Sequence, residues 1–310
     1  MGKLIKTCLV IGVLCVVIGV VTSGAGIFGG GLSQLKTEIL NGEWSFDFGK
    51  NTGATPFFEL EEQHYFKEDV VVNEDKESVK ETFSESEVKK LHIRATGVTV
   101  EFAEYDGEGI FVEAYMVHKY QAYLERGELH VVARGQNAKN LGQGKVTVNV
   151  PSSVYNAGTL ELEIESAASV VSFDKMIAND VELEVSAGTI SWQELTAGDL
   201  SVEMSAGAVN GANTVVTGET DLKVSAGAVT LNGTFGRETE IETAAGKVEI
   251  VLTDALEAYN YDVSCAGGKV TIGDQKVEGI AKRFELKNGA TKHMDIECSV
   301  GTVNIAIVKN

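Results

Sequence analysis

Proline is nearly absent from this sequence, with 2 in 310 residues against 34 glycines. A chain so poor in the residue that interrupts hydrogen-bond ladders, and so rich in the one that turns corners, suits strands joined by tight bends. Positive charge is also scarce. Lys and Arg number 26 against 45 Asp and Glu, for a net charge of −19 and a pI of about 4.7. That balance excludes nucleic acid as a partner, because a phosphate backbone needs a basic surface. The motifs of common catalysis are missing as well. There is no HExxH, no GxSxG and no Walker loop; Gly142-Gln-Gly-Lys145 lacks the upstream glycine and reads as a turn. The histidines are His64, His92, His118, His130 and His293, in no paired metal spacing; His92, His118 and His130 fall in strand-like segments and read as structural. No catalytic residue, metal or cofactor is expected.

What is present is a short repeat. It runs Leu183-Glu-Val-Ser-Ala-Gly188-Thr-Ile190, Val202-Glu-Met-Ser-Ala-Gly207-Ala-Val209, Leu222-Lys-Val-Ser-Ala-Gly227-Ala-Val229 and Ile241-Glu-Thr-Ala-Ala-Gly246-Lys-Val248. Val263 to Val270 and Ile296 to Val303 continue it, and Ile164 to Val171 is a degenerate first copy with Ser169 in the glycine position. Spacings between the aligned positions are 19, 19, 20, 19, 22 and 33. A unit this short cannot bury a core alone, so copies must stack. Apolar residues alternate on each side of the glycine, but the parity breaks across it, which marks a corner between two strands. The reading is an all-β protein: a parallel β-solenoid of roughly seven coils of 19–22 residues, the last with an insertion. Right-handed winding is expected, since parallel crossovers favour it.

The outward positions carry charge. Six residues before the glycine stand Glu163, Glu182, Ser201, Asp221, Glu240, Asp262 and Asp295; four before it stand Glu165, Glu184, Glu203, Lys223, Glu242, Ser264 and Glu297. Eleven of these 14 are acidic. Like charges opposite one another on adjacent strands are destabilising. The stripe is therefore either a solvated face that keeps the protein soluble or a face that gathers divalent cations or a basic partner. Cys265 and Cys298 share an inward column and read as small buried hydrophobes, with a disulfide as the alternative.

The chain divides into an N-terminal membrane anchor (1–31), an acidic spacer (32–90) and a β-rich region (91–310). Lys3 and Lys6 precede an uncharged apolar stretch over residues 7–28, long enough to span a bilayer with its N-terminus in the cytoplasm. A cleaved signal peptide is the alternative, with Ser23-Gly-Ala25 resembling a cleavage site. Gly26 and Gly30 fit a small-residue helix-packing pattern. In the spacer the main apolar run is Val70-Val71-Val72, and one docked segment is expected. From Leu91 to Pro151 alternation and turns such as Asp106-Gly107 and Arg126-Gly127 suggest β-hairpins that cap the solenoid.

Ile93-Arg-Ala-Thr-Gly97-Val-Thr-Val100, Val148-Asn-Val-Pro151, the Ser-Ala-Gly coils and the closing Ile296-Glu-Cys-Ser-Val-Gly301-Thr-Val-Asn-Ile305 together resemble an adhesin-like family of bacterial membrane-anchored β-strand-repeat proteins. Its domain has no established function. The resemblance covers residues 91 to 308 and implies an extracytoplasmic β-solenoid of the Gram-positive cell envelope, with no catalytic residues to carry over. Ser169 at a glycine position and Thr243 at an apolar one depart from the pattern and suggest looser coils.

Function then reads as a non-enzymatic surface-binding or adhesin-like module on the outer side of the cell membrane. Its partners would be the bilayer through residues 7–28, a surface, wall or protein ligand, and divalent cations along the acidic face. An accessory or sensor role in envelope stress is the alternative. A polysaccharide-active β-helix enzyme is a third reading, disfavoured because the corners are too short to build a cleft.

Overall fold

The computed structural model describes residues 71–72, 78–135 and 143–308. The anchor expected at residues 7–28, and the spacer up to residue 70, lie outside the described residues. No helix among the described residues is long and apolar enough to cross a membrane.

The described chain is almost entirely strand. First come β1 (Val71–Val72), β2 (Val79–Phe83), β3 (Lys90–Thr96), β4 (Thr99–Tyr105), β5 (Ile110–Tyr115), β6 (Lys119–Glu125), β7 (Glu128–Arg134) and β8 (Lys145–Pro151). A short helix α1 (Ser152–Tyr155) leads to β9 (Glu161–Ala167), β10 (Ser169–Val185), β11 (Gly188–Met204), β12 (Ala208–Val216), β13 (Glu219–Val224), β14 (Ala228–Thr234), β15 (Glu238–Thr243) and β16 (Lys247–Leu252). Last are β17 (Tyr259–Cys265), β18 (Lys269–Ile272), β19 (Gln275–Glu278), β20 (Lys282–Leu286), β21 (Lys292–Cys298) and β22 (Thr302–Ile307).

The apolar columns stack in parallel register, as the repeat requires. In stacking order one column reads Val131, Ile93, Ile164, Leu183, Val202, Leu222, Ile241, Ile296 and Val263. None is more than 1 % exposed. Beyond the corner a second column runs Val146, Val100, Val171, Ile190, Val209, Val229, Val248, Val303 and Val270. Burying each such side chain stabilises the fold by roughly 1.5–3 kcal/mol, and the stacked columns are the core.

Glycine sits at the corner for a steric reason. Gly207 has φ 104°, and a Cβ there would meet the carbonyl oxygen of Gly188 at 2.3 Å. Corner backbone is laid directly on corner backbone, leaving no room for a side chain. Ser169 solves the same position differently. It is buried, and its Oγ accepts a hydrogen bond from the Val98 N–H at 3.2 Å. Thr243 is buried too. Its Oγ1 has no hydrogen-bond partner there.

The columns contain nine rungs, not seven. The segment expected to form capping hairpins contributes two of them: β3–β4 and β7–β8 stack in parallel with the rest, because their apolar columns are the same as everyone else's. Rung order also departs from chain order at both ends. β3–β4 lies between β7–β8 and β9–β10. β21–β22 lies between β15–β16 and β17–β18. Antiparallel strands close both outer edges, β5 on β8 and β6 on β7 at one end, β19 on β18 and β20 on β17 at the other. The insertion in the last repeat is therefore the C-terminal edge cover, which blocks an open parallel edge from pairing with another chain. At the N-terminal end the spacer supplies two docked segments rather than one, β1 on β6 and β2 on β5.

Two inward features fill irregular space. The Phe173 and Trp192 rings stack at 5.6 Å, and the indole reaches over Gly211, where a Cβ would lie 2.3 Å from it. Its Nε1–H donates to Thr214 Oγ1 at 2.9 Å. Cys265 and Cys298 are register partners, buried and present as free thiols. Burial, with Cys265 alongside, pushes the Cys298 thiol up to about 11.

Candidate functional site: the charged face and its histidine end

Parallel register brings all eleven acidic residues singled out in the sequence onto one face. One column holds Glu163, Glu182, Asp221, Glu240, Asp295 and Asp262; its neighbour holds Glu165, Glu184, Glu203, Glu242 and Glu297. Their inward neighbours along each strand are buried, so the alternation fixes their outward direction.

A third column belongs to the same face and escaped the sequence reading. It contains Glu161, Asp180 and Asp199, then Glu219 and Glu238. Asp199 Oδ1 accepts the Glu219 N–H at 2.7 Å and joins the two stretches. The signal was available: these residues stand two positions before the first acidic column, on the same parity.

Crowding shows in the carboxyl groups. Burial first, then repulsion from Glu165, Glu182, Glu203 and Glu163, raises the pKa of Glu184. Burial, with Asp199 and Glu161 beside it, raises that of Asp180. Glu240 is raised by burial and by Asp221 and Glu242. Lys223 is the basic interruption in the middle of the stripe and pairs with Asp221 of its own strand.

The face changes character at its N-terminal end. The β3 rung presents Lys90, His92 and Arg94, flanked by Glu128, His130 and Val132 of β7 and by Glu161, Glu163 and Glu165 of β9. His92 is 4 % exposed. Its Nδ1 lies 2.7 Å from Glu128 Oε1, and its Nε2 lies 2.7 Å from Glu165 Oε1 and 3.2 Å from Glu163 Oε1. Arg94 Nε donates to Glu165 at 2.8 Å, and Lys90 pairs with Glu163. Burial works against a charge on His92, but the hydrogen bonds to Glu165 and Glu128 outweigh it and hold its pKa above the ordinary value. Burial would raise Glu165 and Glu128; the bond from His92 to each, with Arg94 helping Glu165, holds both below the usual range.

His130 is the opposite case. Burial and the neighbouring positive charges of His92 and Arg94 lower its pKa despite Glu128. Its ring stacks on Tyr123 at 4.7 Å and lies 5.2 Å from the His92 ring. Its Nδ1 is buried without a hydrogen-bond partner. Sequence spacing hid this pair, because His92 and His130 meet through register and not through a local motif.

Residues 88–240 match the model of the Toastrack family, DUF4097. That segment is similar to a Toastrack domain. The Toastrack match ends inside β15, yet the rungs continue in unbroken register through β16, β22 and β18. The finding agrees with the adhesin-like resemblance. Among solved structures, a candidate adhesin from Bacteroides fragilis is 14% identical over 74% of this chain and 98% of its own, with a TM-score of 0.44. A candidate lipid-binding protein from Parabacteroides distasonis is 13% identical over 77% and 98%, TM-score 0.39. A candidate cell adhesion protein from Clostridium sporogenes is 12% identical over 76% and 100%, TM-score 0.32. Values this low add nothing to the reading of function. No curated protein matches the chain.

Proposed function

We propose that this chain is a non-enzymatic, extracytoplasmic binding module, held at the membrane by residues 7–28, whose acidic face engages divalent cations or a basic surface ligand. One observation carries the reading: parallel register holds three acidic columns side by side on one face, where like charges on adjacent strands oppose one another. Cations that bind the stacked array relieve that repulsion and stabilise the folded state by mass action. The uniform short corners support a binding role over catalysis, since they supply a flat ladder and not a cleft with convergent groups.

The test is thermal unfolding of the full-length chain with millimolar calcium against sodium chloride at matched ionic strength. Calcium should raise the melting temperature more, and Glu184→Gln, Glu203→Gln and Glu242→Gln together should remove most of the difference. Equal effects of the two salts would reduce the face to a solvated surface. Protease added to intact, wall-stripped cells should remove the C-terminal region; full protection would place the module inside.

A further inference from the structure

We propose that His92, Glu128 and His130 form a site for a transition-metal dication of the zinc class. One donor atom from each lies within 4.8 Å of the others. Glu128 Oε1 is 2.7 Å from His92 Nδ1 and 3.6 Å from His130 Nε2. Metal–ligand bonds of about 2.0–2.1 Å in a tetrahedron place neighbouring donors about 3.3 Å apart, so the His130–Glu128 separation already fits and the His92–Glu128 pair must open by about 0.6 Å. Two imidazoles and one carboxylate leave a fourth position for water.

The surroundings are arranged as such a site needs. The remaining nitrogen of His92, Nε2, is held by Glu165, whose carboxylate is in turn held by Arg94. A carboxylate on the far nitrogen fixes ring orientation and tautomer, leaving Nδ1 to present its lone pair. His130 is held by the stack on Tyr123, which leaves its Nε2 on the side of Glu128. All three ligands come from two adjacent rigid strands, β3 and β7, in parallel register.

A second grouping, His92 with Glu163 and Glu165, is the poorer site. Lys90 and Arg94 already occupy those carboxylates. Nitrogen-rich donors also separate this site from the acidic columns: imidazole favours zinc, cobalt, nickel or copper, whereas oxygen-only columns suit calcium.

Full-length protein freed of metal with a chelator is titrated with Zn²⁺ by calorimetry, and with Co²⁺ by visible absorption. One equivalent is expected to bind, with a tetrahedral Co²⁺ spectrum. His130→Gln should abolish it, and Glu165→Gln should weaken it by about 10–100-fold. Glu278→Gln, in the edge strand β19 at the other end of the stack, should leave Zn²⁺ binding unchanged. Circular dichroism checks folding; if His130→Gln unfolds, Glu128→Gln carries the same expectation. Absence of binding by the parent protein overturns the proposal, as does Zn²⁺ binding that survives loss of His130 or Glu128.

Discussion

The two ends of the stack share one topology and differ in charge. At each end a rung is slotted between two others out of chain order, and antiparallel strands cover the outermost rung. At the N-terminal end the slotted rung carries Lys90, His92 and Arg94, which meet Glu128, Glu163 and Glu165 in five close pairs. At the C-terminal end it carries His293, Asp295 and Glu297, facing Glu238, Glu240 and Glu242 on one side and Asn260, Asp262 and Ser264 on the other. That end is fastened elsewhere: Lys292 Nζ reaches Asp254 at 2.7 Å, and the Tyr259 hydroxyl bonds Asp254 at 3.0 Å. The inward columns alone decide where a rung stacks. The outward columns are free to vary, and one of the two ends has become a polar cluster.

The largest break in this comparison is in the core. Ile93→Asp and Ile296→Asp put an unpaired charge into the buried column of the two slotted rungs. Each should cost upwards of about 4 kcal/mol, measured by chemical denaturation of the full chain. If one end tolerates the change and the other does not, the ends are not equivalent in how they stack.

The second test separates the ends by pH. His92 has its pKa raised above 6.5 in the folded state. Its stabilising contribution is complete below the unfolded value and fades as pH rises through the folded one. In the presence of a chelator, the parent protein should lose stability over that alkaline-going window, and His92→Gln should flatten the loss. Below the window His92→Gln should cost about 1–3 kcal/mol, because Glu128 and Glu165 lose their partner. His293→Gln, exposed at the other end, should stay within about 0.5 kcal/mol of the parent. A parent melting temperature flat across the window would remove His92 from the account. Glu184 and Glu240, raised from 4.5, act in the same direction at lower pH.

The smallest effect sharpens the contrast. Asp295→Lys gives the C-terminal slotted rung a base between Glu240 and Asp262, imitating Lys90 and Arg94. A gain of about 0.2–1 kcal/mol is expected, read as a raised melting temperature that fades in high salt. Destabilisation would mean that the acidic columns are not under repulsion.

The repeat was legible wherever the Ser-Ala-Gly corner marks the break in parity, which is why the columns from Ile164 to Ile296 align from sequence alone. The β3 rung turns at Gly97 without a Ser-Ala-Gly corner, and antiparallel strands β5 and β6 separate it from β7, so the alternation looks like hairpins. Rung order was illegible for a deeper reason. Ile241, Ile296 and Val263 are interchangeable as neighbours in an apolar column, and nothing in their chemistry says which adjoins which. The acidic face was read from two columns because those two flank the glycine most closely. The histidine pair could have been found from the shared Leu91-His-Ile93 and Leu129-His-Val131 pattern, once both segments were recognised as rungs.

The slotted C-terminal rung makes the order of synthesis matter. A solenoid built coil by coil can grow as the chain emerges, each unit settling on the one before it. Here Lys292–Ile307 emerges after β17–β18 yet lies between them and β15–β16. A growing chain that seals β17 directly onto β15 reaches an apolar stack with no vacancy, one rung short, and must reopen to admit its own tail. Completion of the stack waits for β21–β22, which reach their place only after the rung that covers them has been made.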